Sequence, residues 1–433
     1  MKNRASEIHI ESVQGTAASP THHILQPIKI SLLTRKLLRS KKLTRWFILP
    51  HRTIFQMMSV ADMPPVAVEG KIQLLKAEKV NEQMPLFSEK NYAKNIAQPL
   101  GYIFPPIHLF RIRDAKVFGG SNRFVVLDDR LVSHELFNLK TDLTLEELHQ
   151  TLRIDVQQGT ALKIIKDPQP IRFEQAASFI DAASFNYAHW ITEILVRVFV
   201  LQTHPGSVNV PLLVDEGLHP NMRRSLDVVV GPQAQIYHLP KNREAHIQVL
   251  HHTSVAGYIP VEPRGQPGLA HGKFSPAAIK GMVSHIKNRL RISEQAEARR
   301  KIYVKRNSSY RNLVNSAAIE SVLKAAGFEC IEPEKMSFDE QVKAFHSAKV
   351  VVGATGAAMA NIVFCQADCQ LFILISKHPE MPYFYWQNIA SAVNLKVHYV
   401  LGKCSPHSRQ DLHADFDVAI EDLEAVEVIT EPV

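Results

Sequence analysis

From about residue 100 onward, apolar residues fall into short runs bounded by Gly, Pro, Asn and Asp, and these runs alternate with segments of helical spacing. Residues 111–137 predict a strand, a turn at Gly119-Gly120, and a second strand at Phe124–Leu127. Helical spacing follows over 143–153. Val210–Val214 predicts a buried strand ending at Asp215, residues 219–229 a helix, and Gln235–Leu239 and His246–His251 two further strands. Strands alternating with helices predict parallel βαβ units.

The pattern is sharpest after residue 300. Lys301–Lys305 reads as a strand, Asn315 as the cap of a helix ending at Gly327, and Phe328–Ile331 as a strand. Ser337 and Glu340 have capping-box spacing ahead of another helix, and Lys349–Val352 is a strand running into the loop Gly353–Ala358. Leu371–Ile375 and residues 383–393 add a strand and a helix. This is a Rossmann-like half, in which ligands bind beyond the carboxyl ends of the strands. The Pro- and Gly-rich stretch 258–276 reads as a linker. Three regions follow: an N-terminal extension at 1–99, a first α/β domain at 100–265, and a second at 266–433.

The extension differs in character. Residues 28–49 carry seven basic residues and no acidic one, interleaved with Leu32, Leu33, Leu37, Leu38, Leu43, Trp46 and Phe47. Such a segment suits an anionic membrane surface or a helix docked on the protein body. The net charge of +8 agrees with anionic partners, but no nucleic-acid-binding module accompanies it. The opening MKNRASEIHIESVQG is polar and predicts no secretory signal, and four cysteines predict no disulfide scaffold, so the expected location is the cytoplasm. Cys365 and Cys369 read as small buried residues, not zinc ligands.

Two places in the sequence could carry chemistry. One is a pair of strand ends: Lys305-Arg306 with Arg311 close behind, and Gly353-Ala354-Thr355-Gly356-Ala357. Small residues let the backbone approach a phosphate, and arginines supply forked donors to a diphosphate. The loop lacks the dinucleotide G-x-G-x-x-G and the Gly-Lys-Ser/Thr of a P-loop, which disfavours hydride transfer and ATP hydrolysis. The other place is 185–199, where Asn186 can cap a helix that sets His189, Glu193 and Arg197 on one face. A histidine followed one turn later by a carboxylate is a candidate general base with its orienting partner; a surface salt-bridge ladder is the competing reading. Asp415-Phe416-Asp417 matches a metal-binding D-x-D, but reads better as the lead into a helix at Ile420.

At these residues the chain resembles glycosyltransferase family 61. NYAHWITEILVRV is similar to the family's Asn-Tyr-x-His-Trp helix, and KIYVKRNSSYRNLVN to its strand with a basic end. The run GFECIEPEKMSFDEQVKAFHSAKVVVGATGAAMAN and the segment RIRDAKVFGG also fit, so the likeness spans about 105–400. Thr355 stands where the family usually has histidine. The resemblance implies a GT-B architecture of two Rossmann-like domains facing across a cleft, with the N-terminal segment extra. It implies an inverting transfer from a nucleotide sugar, expected to be UDP-linked, to a glycan or glycolipid acceptor in capsule or other surface polysaccharide synthesis. The poorly placed D-x-D and the basic strand ends predict a metal-independent reaction without a cofactor, and the basic segment 28–49 predicts contact with the inner face of the membrane. The resemblance favours His189 and Glu193 as catalytic, and puts Lys305, Arg306, Arg311, Gly353, Thr355, Gly356, Ala357 and Asn361 around the donor diphosphate. The alternative is a non-catalytic glycan- or nucleotide-binding protein of polysaccharide assembly.

Overall fold

Alternating apolar positions drive the first half of the chain into one large sheet. The computed structural model describes residues 52–425, apart from 98–99, 165–166, 242, 265–270, 295–296, 407 and 409–410. The basic segment 28–49 lies outside the described residues.

Eleven strands make up this sheet: β1 (Arg52–Ser59), β2 (Val68–Leu75), β3 (Ile107–Phe118), β4 (Phe124–Val126), β5 (Arg130–Ser133), β6 (Leu152–Asp155), β7 (Thr160–Ile164), β8 (Asp167–Ser178), β9 (Leu212–Asp215), β10 (Ile236–Leu239) and β11 (Arg243–Thr253). Their order is β6-β7-β1-β5-β4-β3-β11-β8-β9-β10, with β2 paired to β3. The block β11-β8-β9-β10 is parallel, as the element alternation predicts. The rest is mainly antiparallel, because β3, β4 and β5 are joined by tight turns at Gly119-Gly120 and Leu127-Asp128, and a tight turn can join only antiparallel neighbours. Residues 52–99, read from sequence as part of an extension, supply β1 and β2. The helical spacing at 143–153 forms only one turn, Leu145–Leu148, capped by Thr144 and Glu147, before β6 pairs with β7.

The second sheet contains β12 (Arg300–Val304), β13 (Glu329–Ile331), β14 (Ala348–Ala354), β15 (Gln370–Ser376), β16 (Val397–Cys404) and β17 (Phe416–Asp417), in the order β13-β12-β14-β15-β16-β17. All its pairs are parallel except β16 with β17, and the two-residue strand Leu86–Phe87 adds to β16. The chain is therefore mixed α/β.

Helices fill the space beside both sheets. The run 187–202, here α1, is an α turn Tyr187–His189, a π segment Trp190–Leu195 and an α segment Val196–Gln202. It packs with α2 (Pro220–Val230) and α3 (Pro276–Arg289). Further on come α4 (Ser316–Ala325), α5 (Phe338–His346) and α6 (Phe384–Ala392). The expected box at Ser337 and Glu340 caps α5. Asn315 does sit at the start of α4, but its side chain bonds Val418 instead of the helix backbone: Nδ2 donates to the Val418 carbonyl at 2.7 Å and Oδ1 accepts from the Val418 N–H at 3.3 Å. One continuous apolar core runs from Trp190, Ile194 and Leu212 through Met222 and Met282 to Val351 and Met359. No helix among the described residues is long and apolar enough to cross a membrane.

Beside this core, Glu146 is fully buried between two cations. Arg123 Nη1 donates to its Oε2, and Lys163 Nζ donates to Oε1 at 3.0 Å. Burial disfavours the carboxylate, but Lys163 and Arg123 outweigh it and hold the group down to about 2. The ion cluster therefore contributes its full stability above the ordinary carboxyl value of 4.5 and loses it as pH falls toward 2. Glu146→Gln leaves two buried cations without their counter-charge. Urea unfolding at pH 7 should show a loss of about 3–5 kcal/mol, and the gap between variant and wild type should narrow as the pH drops below 4.5.

Candidate functional site

Asn186 starts α1 as its sequence predicts: Oδ1 accepts from the Ala188 N–H at 2.9 Å. Past the first turn the helix widens. Thr192 Oγ1 donates to the Ala188 carbonyl at 2.8 Å, occupying the acceptor that a regular turn would use, and the backbone takes π geometry over Trp190–Leu195. His189 and Glu193, four residues apart, are in contact here, Nδ1 against Oε2, both mostly buried. The Ile259 N–H donates to the other Glu193 oxygen, Oε1, at 2.6 Å.

That donor comes from the stretch expected to be a linker. Instead, Gly257–Tyr258 pairs with Lys273–Phe274 and Glu262–Pro263 pairs with Asp142–Leu143. Gly257 is needed there: a Cβ would lie 2.3 Å from the Thr192 carbonyl oxygen, so only glycine lets this segment reach the π turn.

Burial alone would keep both partners neutral. The Glu193 carboxylate, helped by Asp181, outweighs burial at His189 and raises its pKa above the ordinary histidine value. The pair lines a cavity of about 60 Å³ with Asn122, Arg123, His134, Asp181, Arg197, His252 and Tyr258. Asp181 follows β8 and is held by Asn122 Nδ2 at 2.9 Å and the Ala183 N–H at 2.8 Å. Sequence reasoning missed it, although an acidic residue just past a strand's carboxyl end is a recognisable signal.

The expected phosphate-side residues divide. Gly353 ends on β14, level with Val304 of β12, so the two strand ends are neighbours. Arg306 donates through Nε to the Arg311 carbonyl at 3.2 Å and through Nη2 to the Tyr310 carbonyl at 3.0 Å. Its guanidinium lies close against Gly356, where a Cβ would stand 1.9 Å from Nη1. Burial and the neighbouring Arg311 push the Arg306 pKa down to about 10, still charged at neutral pH. Arg311 has left-handed backbone (φ 55°), and its Nε has no hydrogen-bond partner among the described residues. Ala357 opens the 3₁₀ turn Ala357–Phe364.

Three residues are engaged elsewhere or differently. Lys305 points to Glu320, with Nζ 3.0 Å from Oε2. Thr355 is buried and accepts the Trp386 indole N–H at 2.9 Å, leaving its own O–H to donate. Asn361 is spent inside the fold: it accepts from Tyr187 O–H at 2.7 Å and donates to Gln341 Oε1 at 2.8 Å. It fastens the start of α1 to the turn after Gly356. Tyr385 of α6 is within electrostatic reach of both Glu193 and Arg311, and burial raises its pKa above the ordinary value. Asp415 accepts from the Asn312 N–H at 2.7 Å, and Phe416–Asp417 forms β17 and leads into the expected helix at Ile420–Ala425. Cys365 and Cys369 are buried.

Nuclear magnetic resonance titration of the histidines provides a direct check. His189 should keep its proton to higher pH than the ordinary histidine value of 6.5, and Glu193→Gln should move that titration down, because burial then acts unopposed by the adjacent carboxylate. An unmoved titration would remove the electrostatic coupling between the two.

Comparison of the full chain with curated proteins returns no match. Residues 187–372 match the family model described as Glycosyltransferase 61. The matched stretch runs from Tyr187 past Asn361, taking in His189, Glu193, Arg306 and the loop at Gly356. That part of the chain is similar to glycosyltransferase family 61.

Proposed function

We propose that the protein is an inverting, metal-independent glycosyltransferase of GT-B type, moving a sugar from a UDP-linked donor to a hydroxyl of a glycan or glycolipid acceptor in capsule or other surface polysaccharide synthesis. The observation that carries this is the mostly buried His189–Glu193 pair in a cavity, tied through Tyr187 and Asn361 to the strand ends that bear Arg306 and Gly356. In this reading residues 100–265 form the acceptor side and 266–433 the donor side. The basic segment 28–49 supports working at the cytoplasmic face of an anionic membrane.

The chemistry follows from the pair. The acceptor oxygen attacks the anomeric carbon as the bond from that carbon to the diphosphate breaks on the opposite face, which inverts the configuration. The acceptor proton passes to His189, and Glu193 stabilises the imidazolium that forms. Arg306 and Arg311 offset the charge that collects on the leaving diphosphate, and the Thr355 hydroxyl is free to donate to it. Thr355 also supports the second reading, a non-catalytic glycan- or nucleotide-binding protein, because it replaces histidine and is partly committed to Trp386.

Two experiments test the proposal. His189→Ala should lower turnover about a hundred- to ten-thousandfold while nucleotide affinity holds, with a smaller loss for Glu193→Gln. Near-normal turnover in both variants would send the search for the base elsewhere. Arg306→Ala should weaken uridine diphosphate binding about ten- to a hundredfold by calorimetry. Unchanged affinity would move the diphosphate to other residues.

A further inference from the structure

Three side chains from three elements meet at the buried end of the cavity: His134 just after β5, Arg197 on α1 and His252 on β11. Each is more than nine-tenths buried, at 6%, 5% and 4% exposure. Each also has a polar atom without a hydrogen-bond partner among the described residues: His134 Nδ1, Arg197 Nε and His252 Nε2. Buried polar atoms are normally satisfied, and leaving one unpaired costs about 1–3 kcal/mol. Three at one place, lining one cavity, form a prepared hydrogen-bonding surface.

We infer that this end of the cavity is an acceptor subsite that takes a hydroxyl-bearing edge of a neutral sugar ring, holding the ring so that another of its hydroxyls faces His189. The inference rests on the transferase reading above. Three observations select this ligand. First, both imidazoles stay neutral: burial lowers their proton affinity, and Arg197 lowers it further at both, with Arg123 adding to the effect at His134. A neutral imidazole donates at one nitrogen and accepts at the other, while Arg197 only donates. A hydroxyl can match both kinds of partner, whereas a carboxylate accepts only. Second, Tyr258 stands edge-on to His134 at 4.5 Å, and Phe137 also lines the cavity, so aromatic rings flank the polar groups. Sugars present the same combination of apolar C–H faces and polar edges. Third, the same cavity of about 60 Å³ is lined by His189 and Glu193, so a ring edge held by His134, Arg197 and His252 shares one space with the base.

The test uses saturation-transfer nuclear magnetic resonance on the full chain, with methyl α-D-glucopyranoside and methyl α-D-glucuronide as probes. The neutral glycoside should receive saturation from the protein. His252→Phe, which keeps the bulk but removes both ring nitrogens, should weaken its binding about tenfold, and His252→Gln, which restores a donor and an acceptor, should recover most of that loss. Uridine diphosphate affinity, measured on the same samples, should be equal in all three proteins and shows that the variants are folded. Saturation of the neutral probe that survives His252→Phe overturns the subsite, as does its absence in wild type. Stronger binding of the glucuronide overturns the neutral-sugar assignment. A chain that binds uridine diphosphate but neither glycoside refutes the subsite alone, whereas glycoside binding without nucleotide binding refutes the transferase reading and leaves the pocket standing as a glycan site.

Discussion

Taking His189 and Glu193 out of water together is the constraint around which the site is built. At His189 the adjacent carboxylate outweighs burial and raises the pKa, whereas at Glu193 burial outweighs the histidine and raises the pKa as well. Their contact lies where α1 widens, beside the Thr192 hydroxyl bonded to the Ala188 carbonyl. The second Glu193 oxygen depends on Ile259, whose segment can approach only because residue 257 is glycine. A change at any of these positions reaches the pair through geometry before it reaches it through charge.

The second sheet is joined to this pair by few but directed contacts. Tyr187 and Asn361 link the first turn of α1 to the turn after Gly356. On the outer side of the same region, Arg224 of α2 forms a two-pronged ion pair with Asp339 of α5, at 2.8 and 2.7 Å. Beneath them lies a continuous core, so helices of the first half and strands of the second share one packed interior. The seat of His189 and the strand ends carrying Arg306 thus rest on the same close-packed interior. Arg306 itself is fixed by two backbone carbonyls of its own loop and by Gly356 beneath it, so its guanidinium is oriented in advance.

Much of the second half was legible in the sequence, because its information is local. The strands at 301, 329, 348 and 370, the capping box at Ser337 and Glu340, the stop at Gly327 and the cap at Asn186 are all written within a few residues of where they act. The spacing of His189 and Glu193 belongs to the same class, since four residues on a helix bring two side chains together whatever lies around them. What tertiary structure decided was every feature that needs partners distant in sequence. Strand direction around β3 depended on which turns closed, and Asn315 exchanged its helix for Val418. Lys305 turned to Glu320, while Asp181, His134 and His252 entered the cavity from separate elements. The physical reason is the range of the interactions: propensity, capping and periodicity act over one or two turns, whereas burial, and the pairing of polar groups that burial compels, is settled only when remote segments meet.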